Sequence, residues 1–421
     1  MSDLIQVKRS SLCSPAATFY LAWLFVSGLY LLGYSSRLYY GYAEILGLLW
    51  VVFSAFWVGA FLPGLFRRIR NRKFFEIGRD KFLDTYAASL KLYYFIIFLS
   101  LLEFLVEGYV PAISIFGGQS VSHFEFGIPS LHGLILSAHL YFSMVGVIAF
   151  SITRKRLYLL PLVFTVTWAL LIVSRKLFMV AILQSVVLWV ILYGINFRKL
   201  ARYSVLALLV LALFGTVGQH RSGSHIMTEF GGFGNESLIS NYPVFQWSYL
   251  YFTTPLHNII YAKENYGSEG NIFFNRTFSP LVPSAIASAL SGKRIDPGSR
   301  FEQAGKDRYW LESRVFNVST AGIEPYIDMG NFGIWMFFAV IGLLSSFCYY
   351  HLSGYVGLTS SVIFISAGIL SIYSNNFTNL NFVGQFLWLS LFHLCSFKII
   401  VSNRYFFYRG RIYRRATIGR C

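Results

Sequence analysis

The sequence predicts an all-α fold: a polytopic integral membrane protein of about ten transmembrane helices, with one large extracytoplasmic loop between spans seven and eight. Three observations predict it. Of the 421 residues 56% are hydrophobic and 13% charged, far too apolar a balance for an ordinary soluble protein. The apolar residues fall in runs long enough to cross a bilayer as helices. Lysine and arginine collect in alternate connections, which fixes an orientation.

In chain order, spans are expected near residues 15 to 34, 43 to 66, 87 to 108, 131 to 152, 157 to 174, 177 to 196, 203 to 218, 331 to 352, 357 to 374 and 380 to 400. The first follows MSDLIQVKRSSLCSPAA and is long enough to span, so it is an uncleaved helix and not a signal peptide. Residues 1–218 thus hold seven spans with short loops, 219–330 the large loop, and 331–421 three spans and a basic tail. With a cytoplasmic N-terminus, 22 of the 35 Lys and Arg residues face the cytoplasm and 12 lie outside, as the positive-inside rule requires. The runs RRIRNRK and RIYRR are therefore orientation signals, and the net charge of +17 implies a lipid bilayer as partner and no nucleic acid.

The loop from Gln219 to Gly330 is the one long segment without a span-length apolar core, and its basic and acidic residues nearly balance. Any anion site there must be built from particular arginines. YLYFTTPLHNIIY (Tyr249 to Tyr261) and SPLVPSAIASAL (Ser279 to Leu290) are apolar but too short to span, which predicts re-entrant or interfacial helices in a folded cap. No zinc, P-loop or GxSxG pattern is present, and none of the four cysteines falls in the loop.

Charges at the membrane surface mark the candidate site. Arg175 and Lys176 occupy a two-residue turn between spans, where cations are costly unless paired and often mark a substrate path. Alternatively, both snorkel to headgroups. Arg221 follows the seventh span in GQHRSGSH beside His220 and His225, a group suited to holding a lipid pyrophosphate through the bidentate guanidinium fork. Glu324 and Asp328, in EPYIDMGNFG, are either a general base for a sugar hydroxyl or partners of loop amides and the next helix. Arg276, Arg308 and Arg314 are a mixture of ligands and ion-pair partners, and Trp310 is an aromatic that stacks on a sugar or anchors the interface. Glu103 and Glu107 share one helical face and predict a rim at the membrane exit, with a proton relay as the alternative; His132 and His139, seven apart, predict packed helical histidines.

The many-span body, SHFEFGIPSLHGL before the fourth span, the cationic turn SRKLF, GQHRSG, NRTFSPLVPSAI and EPYIDMGNFG occur here in one order. On these features the chain resembles bacterial O-antigen polymerases, the Wzy-type oligosaccharide repeat-unit polymerases. The resemblance implies a GT-C-like glycosyltransferase of the bacterial inner membrane that needs no metal or cofactor. It would join undecaprenyl-pyrophosphate-linked glycans on the periplasmic side, with a chain-length regulator as a further partner. Arg175, Arg221, Arg276, Arg314 and Lys176 would then neutralise pyrophosphate. Glu324, with His225 or His220 as alternates, would deprotonate the acceptor, and Asp328, Arg308, Trp310 and Tyr326 would contact sugar. An O-antigen ligase or a lipid-linked oligosaccharide flippase are the competing readings.

Overall fold

The computed structural model describes residues 4–38, 41–65, 74–117, 126–128, 130–194, 231–233, 242–282, 311 and 318–394. They are mostly helical. In chain order come α1 (Pro15–Leu31), α2 (Tyr42–Leu65), α3 (Arg79–Glu107), α4 (Pro111–Phe116), α5 (Leu131–Thr153), α6 (Leu160–Leu171) and α7 (Arg175–Tyr193). They are followed by α8 (Pro243–Asn265), α9 (Asn275–Phe278), α10 (Ile323–His351), α11 (Gly354–Leu370) and α12 (Leu380–Leu394). Among the described residues five helices (α2, α3 with its α4 continuation, α5, α7 and α10) are long and apolar enough to cross a membrane, by length and composition. Helices α1, α6, α11 and α12 are apolar but shorter. The predicted seventh span, 203 to 218, lies outside the described residues.

Local sequence sets many of the boundaries. Ser14 caps α1, its hydroxyl accepting from the Ala17 amide at 3.2 Å, and Pro15 takes the first helical position, where its missing N–H costs nothing. Gly108 ends α3 in the left-handed conformation at φ 75°, which a glycine adopts without strain.

The helices run between two ends. At one, strands β1 (Leu4–Lys8) and β2 (Phe74–Gly78) pair antiparallel, with Val7 opposite Phe75 and Ile5 opposite Ile77. The same end holds the C-terminus of α10, whose last carbonyls at Tyr350 and Leu352 accept from the Arg9 guanidinium at 2.6 Å. We call this the hairpin end. The opposite, site end holds the α1–α2 turn, the C-terminus of α3 and the N-termini of α5, α7, α10 and α12. Ser35 of the α1–α2 turn pairs there with Phe233.

The strand pair departs from the all-α expectation. Alternation in LIQVK and FFEIG buries Val7, Phe75 and Ile77 while Gln6 and Glu76 face outward, and the return of α2 brings the two segments together.

Helix α5 is the central post: every residue from Ile135 to Ala149 is buried. Helices α2 and α3 are peripheral and present Trp50, Trp57, Tyr94, Phe95 and Leu105 outward, an apolar surface suited to lipid. Helices α2 and α10 cross with their backbones in close approach. A β-carbon on Gly59 would land on the Ala339 carbonyl oxygen, and one on Gly342 on the Phe56 carbonyl oxygen. Small residues permit this kind of contact where no hydrophobic force separates helix from lipid.

Two predicted boundaries are corrected. Span eight was expected from residue 331, but α10 begins at Ile323 and is broken by non-helical backbone at Met329 and Gly330 (φ 64°), so Glu324 and Asp328 are helical and not loop residues. The piece at Tyr249 to Tyr261 is the middle of α8, a longer helix buried against α1, α2 and α10.

Candidate functional site

At the site end a polar seam runs along α8. Trp247 and Tyr251, four residues apart, share a face of that helix and stack with ring centroids 5.5 Å apart and planes 12° apart. Tyr373, from the turn between α11 and α12, stacks on Tyr251 at 5.5 Å. Arg175 lies over the Trp247 ring, its guanidinium carbon 5.8 Å from the centroid. One cation and three aromatic rings thus form a continuous ladder. Burial raises the pKa of the Tyr251 hydroxyl, and the nearby Arg175 charge lowers it in part.

Arg175 and Lys176 are the first two residues of α7, where Ser174 caps and accepts from the Leu177 amide. The helix N-terminus is the positive end of the peptide dipoles, so cations are ill placed there for helix stability. A helix N-terminus that also carries two cations is suited to an anion.

The turn Ser371 to Asn379, SIYSNNFTN, closes the seam. Its Ser371 is fixed by Trp23 of α1, whose indole donates at 2.9 Å, and its carbonyl accepts from the Ala321 amide at 2.6 Å. The Asn258 amide of α8 donates to the Val318 carbonyl at 2.7 Å. Between these ties lie polar atoms shut away from solvent that have no hydrogen-bond partner among the described residues: the Tyr373 hydroxyl, both side-chain polar atoms of Asn375, and the hydroxyls of Thr378 and Ser319. Buried polar groups of this kind are expected to find partners.

Glu324 stands in the first turn of α10, half-buried, close behind Gly322, which packs on Ile259 of α8. Tyr326, Asp328 and Arg276 form a separate group at the far end of α8. Tyr326 donates its hydroxyl to the carbonyls of Lys263 and Tyr266 at 3.3 and 3.2 Å. Burial lowers the pKa of Lys263. Asp328 is wholly buried and accepts from the Arg276 amide at 3.1 Å, the Thr277 amide at 2.9 Å and the Thr277 hydroxyl at 2.6 Å. Arg276 itself makes a bidentate pair with Glu269, with contacts of 2.6 and 2.9 Å. Trp247 and Lys263 are sixteen residues apart, or about 24 Å along a helix at 1.5 Å per residue. The structure therefore brings Arg175 together with the aromatic ladder, with Lys176 the next residue of α7, and sets Arg276, Tyr326 and Asp328 apart from the ladder. His220, Arg221, His225, Arg308, Trp310 and Arg314 lie outside the described residues.

The sequence reading passed over Trp247, Tyr251 and Tyr373. The i, i+4 spacing of the first two was available as a signal; their partnership with Tyr373 was not.

A second polar group at the same end corrects the expectation of a carboxylate rim. Glu103 is not at the surface: its side chain is fully buried and lies 2.9 Å from His132 Nδ1. Its other oxygen accepts from the Ile128 amide at 3.2 Å, and Glu107 accepts from the Gly127 amide at 3.2 Å. One turn deeper, Ser100 bonds His139 Nε2 at 2.8 Å. Among the described residues no group of three or more His, Cys, Asp or Glu side chains could hold a metal ion.

No family model, curated protein or solved structure matches this chain.

Proposed function

We propose that the protein is a membrane glycosyltransferase that joins polyprenyl-pyrophosphate-linked oligosaccharide units, an O-antigen polymerase acting at the site end. The observation that carries this reading is the ladder of Arg175, Trp247, Tyr251 and Tyr373 at the end of the helical body. A guanidinium beside a helix N-terminus is suited to the two phosphates of a lipid pyrophosphate. Aromatic faces next to it suit the apolar faces of sugar rings. The side chains of Asn375, Thr378 and Ser319 supply amide and hydroxyl groups of the type that sugar hydroxyls satisfy.

In this reading the sugar hydroxyl of an incoming unit attacks the anomeric carbon of the growing chain, and the bond from that carbon to the pyrophosphate oxygen breaks. Arg175 and Lys176 neutralise the charge that develops on the departing pyrophosphate. Lipid-facing helices keep the polyprenyl tail in the bilayer while the head reaches the seam. Tyr326, Asp328 and the Arg276–Glu269 pair hold the α9 segment against the break in α10 and shape the far end of the seam.

The test is glycan profiling of a strain lacking the protein, complemented with wild type, Arg175→Ala or Trp247→Ala, with membrane abundance checked. The reading expects lipid A core bearing one repeat unit in the deletion strain and the same pattern with Arg175→Ala. Long polymer held on undecaprenyl pyrophosphate would make the protein a ligase, and unpolymerised units trapped on the cytoplasmic leaflet would make it a flippase.

A further inference from the structure

Resting on the glycosyl-transfer reading, we propose that His132, oriented by Glu103, is the general base that takes the proton of the attacking hydroxyl. The argument starts from the pair's geometry. An ionised carboxylate only accepts hydrogen bonds, so with Glu103 as the carboxylate the 2.9 Å contact between its Oε2 and His132 Nδ1 requires the ring hydrogen on Nδ1. A neutral imidazole then carries its lone pair on Nε2. The His132 side chain is 19% exposed while Glu103 is fully enclosed, so the pair is reached from the imidazole side and not from the carboxylate side. A carboxylate that fixes the tautomer and orientation of an imidazole is the arrangement that makes it an effective base, and it stabilises the imidazolium that forms.

The surroundings hold this geometry from several sides. The Ile128 amide donates to the second oxygen of Glu103, the Gly127 amide to Glu107, and the His132 amide to the Ile128 carbonyl. Phe126 sets its ring edgewise to the imidazole, with centroids 5.7 Å apart. Gly127 adopts φ 98° and lies so close over the ring that a β-carbon there would collide with Nδ1. A buried carboxylate in a helix of this apolarity is costly unless paired, and an ionisable pair at membrane depth is by default a functional-site hypothesis.

Packing links the pair, through neighbouring residues, to the elements that carry the seam. Gly133, the next residue, packs on Leu380, which directly follows the Ser371 to Asn379 turn carrying Tyr373, Asn375 and Thr378. Through Phe126, Phe104 and Trp168 the ring contacts run from His132 to α6, whose C-terminus leads into Arg175. In the step proposed, the acceptor O–H gives its proton to His132 Nε2, the oxygen pair forms the new bond to the anomeric carbon, and the old bond's electron pair leaves with the pyrophosphate.

The experiment uses the full-length protein in liposomes with undecaprenyl-pyrophosphate-linked oligosaccharide extracted from the deletion strain. Polymer ladder and released undecaprenyl pyrophosphate are measured for wild type, His132→Gln and Glu103→Gln, and donor retention by each protein is measured separately. General-base loss predicts a fall in turnover of at least about 100-fold for His132→Gln with donor retention within twofold. For Glu103→Gln, a positioning change, the expected result is a lowered kcat with KM unchanged. If wild type makes a ladder and His132→Gln keeps its rate within threefold, the base assignment is overturned and the transferase reading stands. If wild type makes no ladder, the reading and the inference fall together. Should the variants be absent from the membrane, carbethoxylation of wild-type His132, mapped by mass spectrometry, decides instead: loss of the ladder supports the assignment and full activity of modified protein overturns it.

Discussion

Replacing Asp328 should release the α9 segment, and the structure allows the size of the effect to be worked out. Asp328 accepts three hydrogen bonds, and both donors of Thr277 are fully buried, whereas Arg276 is partly exposed and its amide can turn to water. A buried donor left without a partner costs about 1–3 kcal/mol. Two such donors give about 2–6 kcal/mol for Asp328→Ala, with the third discounted. The loss falls on local opening of residues 269 to 278, because the amides of Glu269 and Asn271 also bond to the carbonyls of Ile327 and Asp328 beside the break.

At about 1.4 kcal/mol per tenfold, amide exchange at Arg276, Thr277 and Phe278 should quicken by at least about 25-fold. The assay is hydrogen–deuterium exchange of the protein in detergent, with the amides of buried α5 as internal reference. Arg276→Ala provides the contrast. Its pair with Glu269 is about one-third exposed on each side, and exposed pairs are worth about 0–1 kcal/mol, so exchange should change by less than about fivefold. Unchanged exchange in Asp328→Ala, or an equal effect in Arg276→Ala, would refute the view that the buried carboxylate holds this segment.

Three other outcomes are expected. Gly59→Leu and Gly342→Leu should each part α2 from α10, lowering the apparent Tm and broadening the size-exclusion peak, since overpacking costs typically about 1–3 kcal/mol; wild-type profiles would contradict the close crossing. Arg175→Lys should fail to restore long glycan in the complementation assay even though charge is kept, because the planar guanidinium lies over Trp247 and, in the proposed reading, grips two phosphate oxygens; full restoration would remove that argument. Gln184, whose amide ties Ser366 and Gln385 across α7, α11 and α12, should cost about 1 kcal/mol when changed to Leu, measured as a small drop in Tm with activity retained.

Helix positions were legible in the sequence because apolar runs bounded by basic clusters are local signals. The helix expected from residue 87 begins earlier, at Arg79, since Phe82, Thr85, Tyr86 and Ser89 find a buried face that a polar stretch alone does not announce. Of the candidate residues, Arg175 and Lys176 were legible as cations out of place, and the structure sets Arg175 on the aromatic ladder. Glu103 and His132 were each noticed, but their 29-residue separation hid the pair. The engagement of Asp328 with three donors at Arg276 and Thr277 was equally hidden, because it depends on the chain folding back onto the α10 break.

The sequence by itself determined that this is a chain of apolar helices suited to a membrane, how those helices divide, and which charges stand at their ends. Hydropathy and charge bias act within a single turn or span, so they can be read residue by residue. Only the tertiary structure decided which ends meet: that α8 lays Trp247 and Tyr251 beneath Arg175, that Tyr373 returns to complete the stack, and that Glu103 backs His132. Those contacts join residues from 29 to 122 positions apart, and their partners are set by packing geometry, which no local pattern encodes.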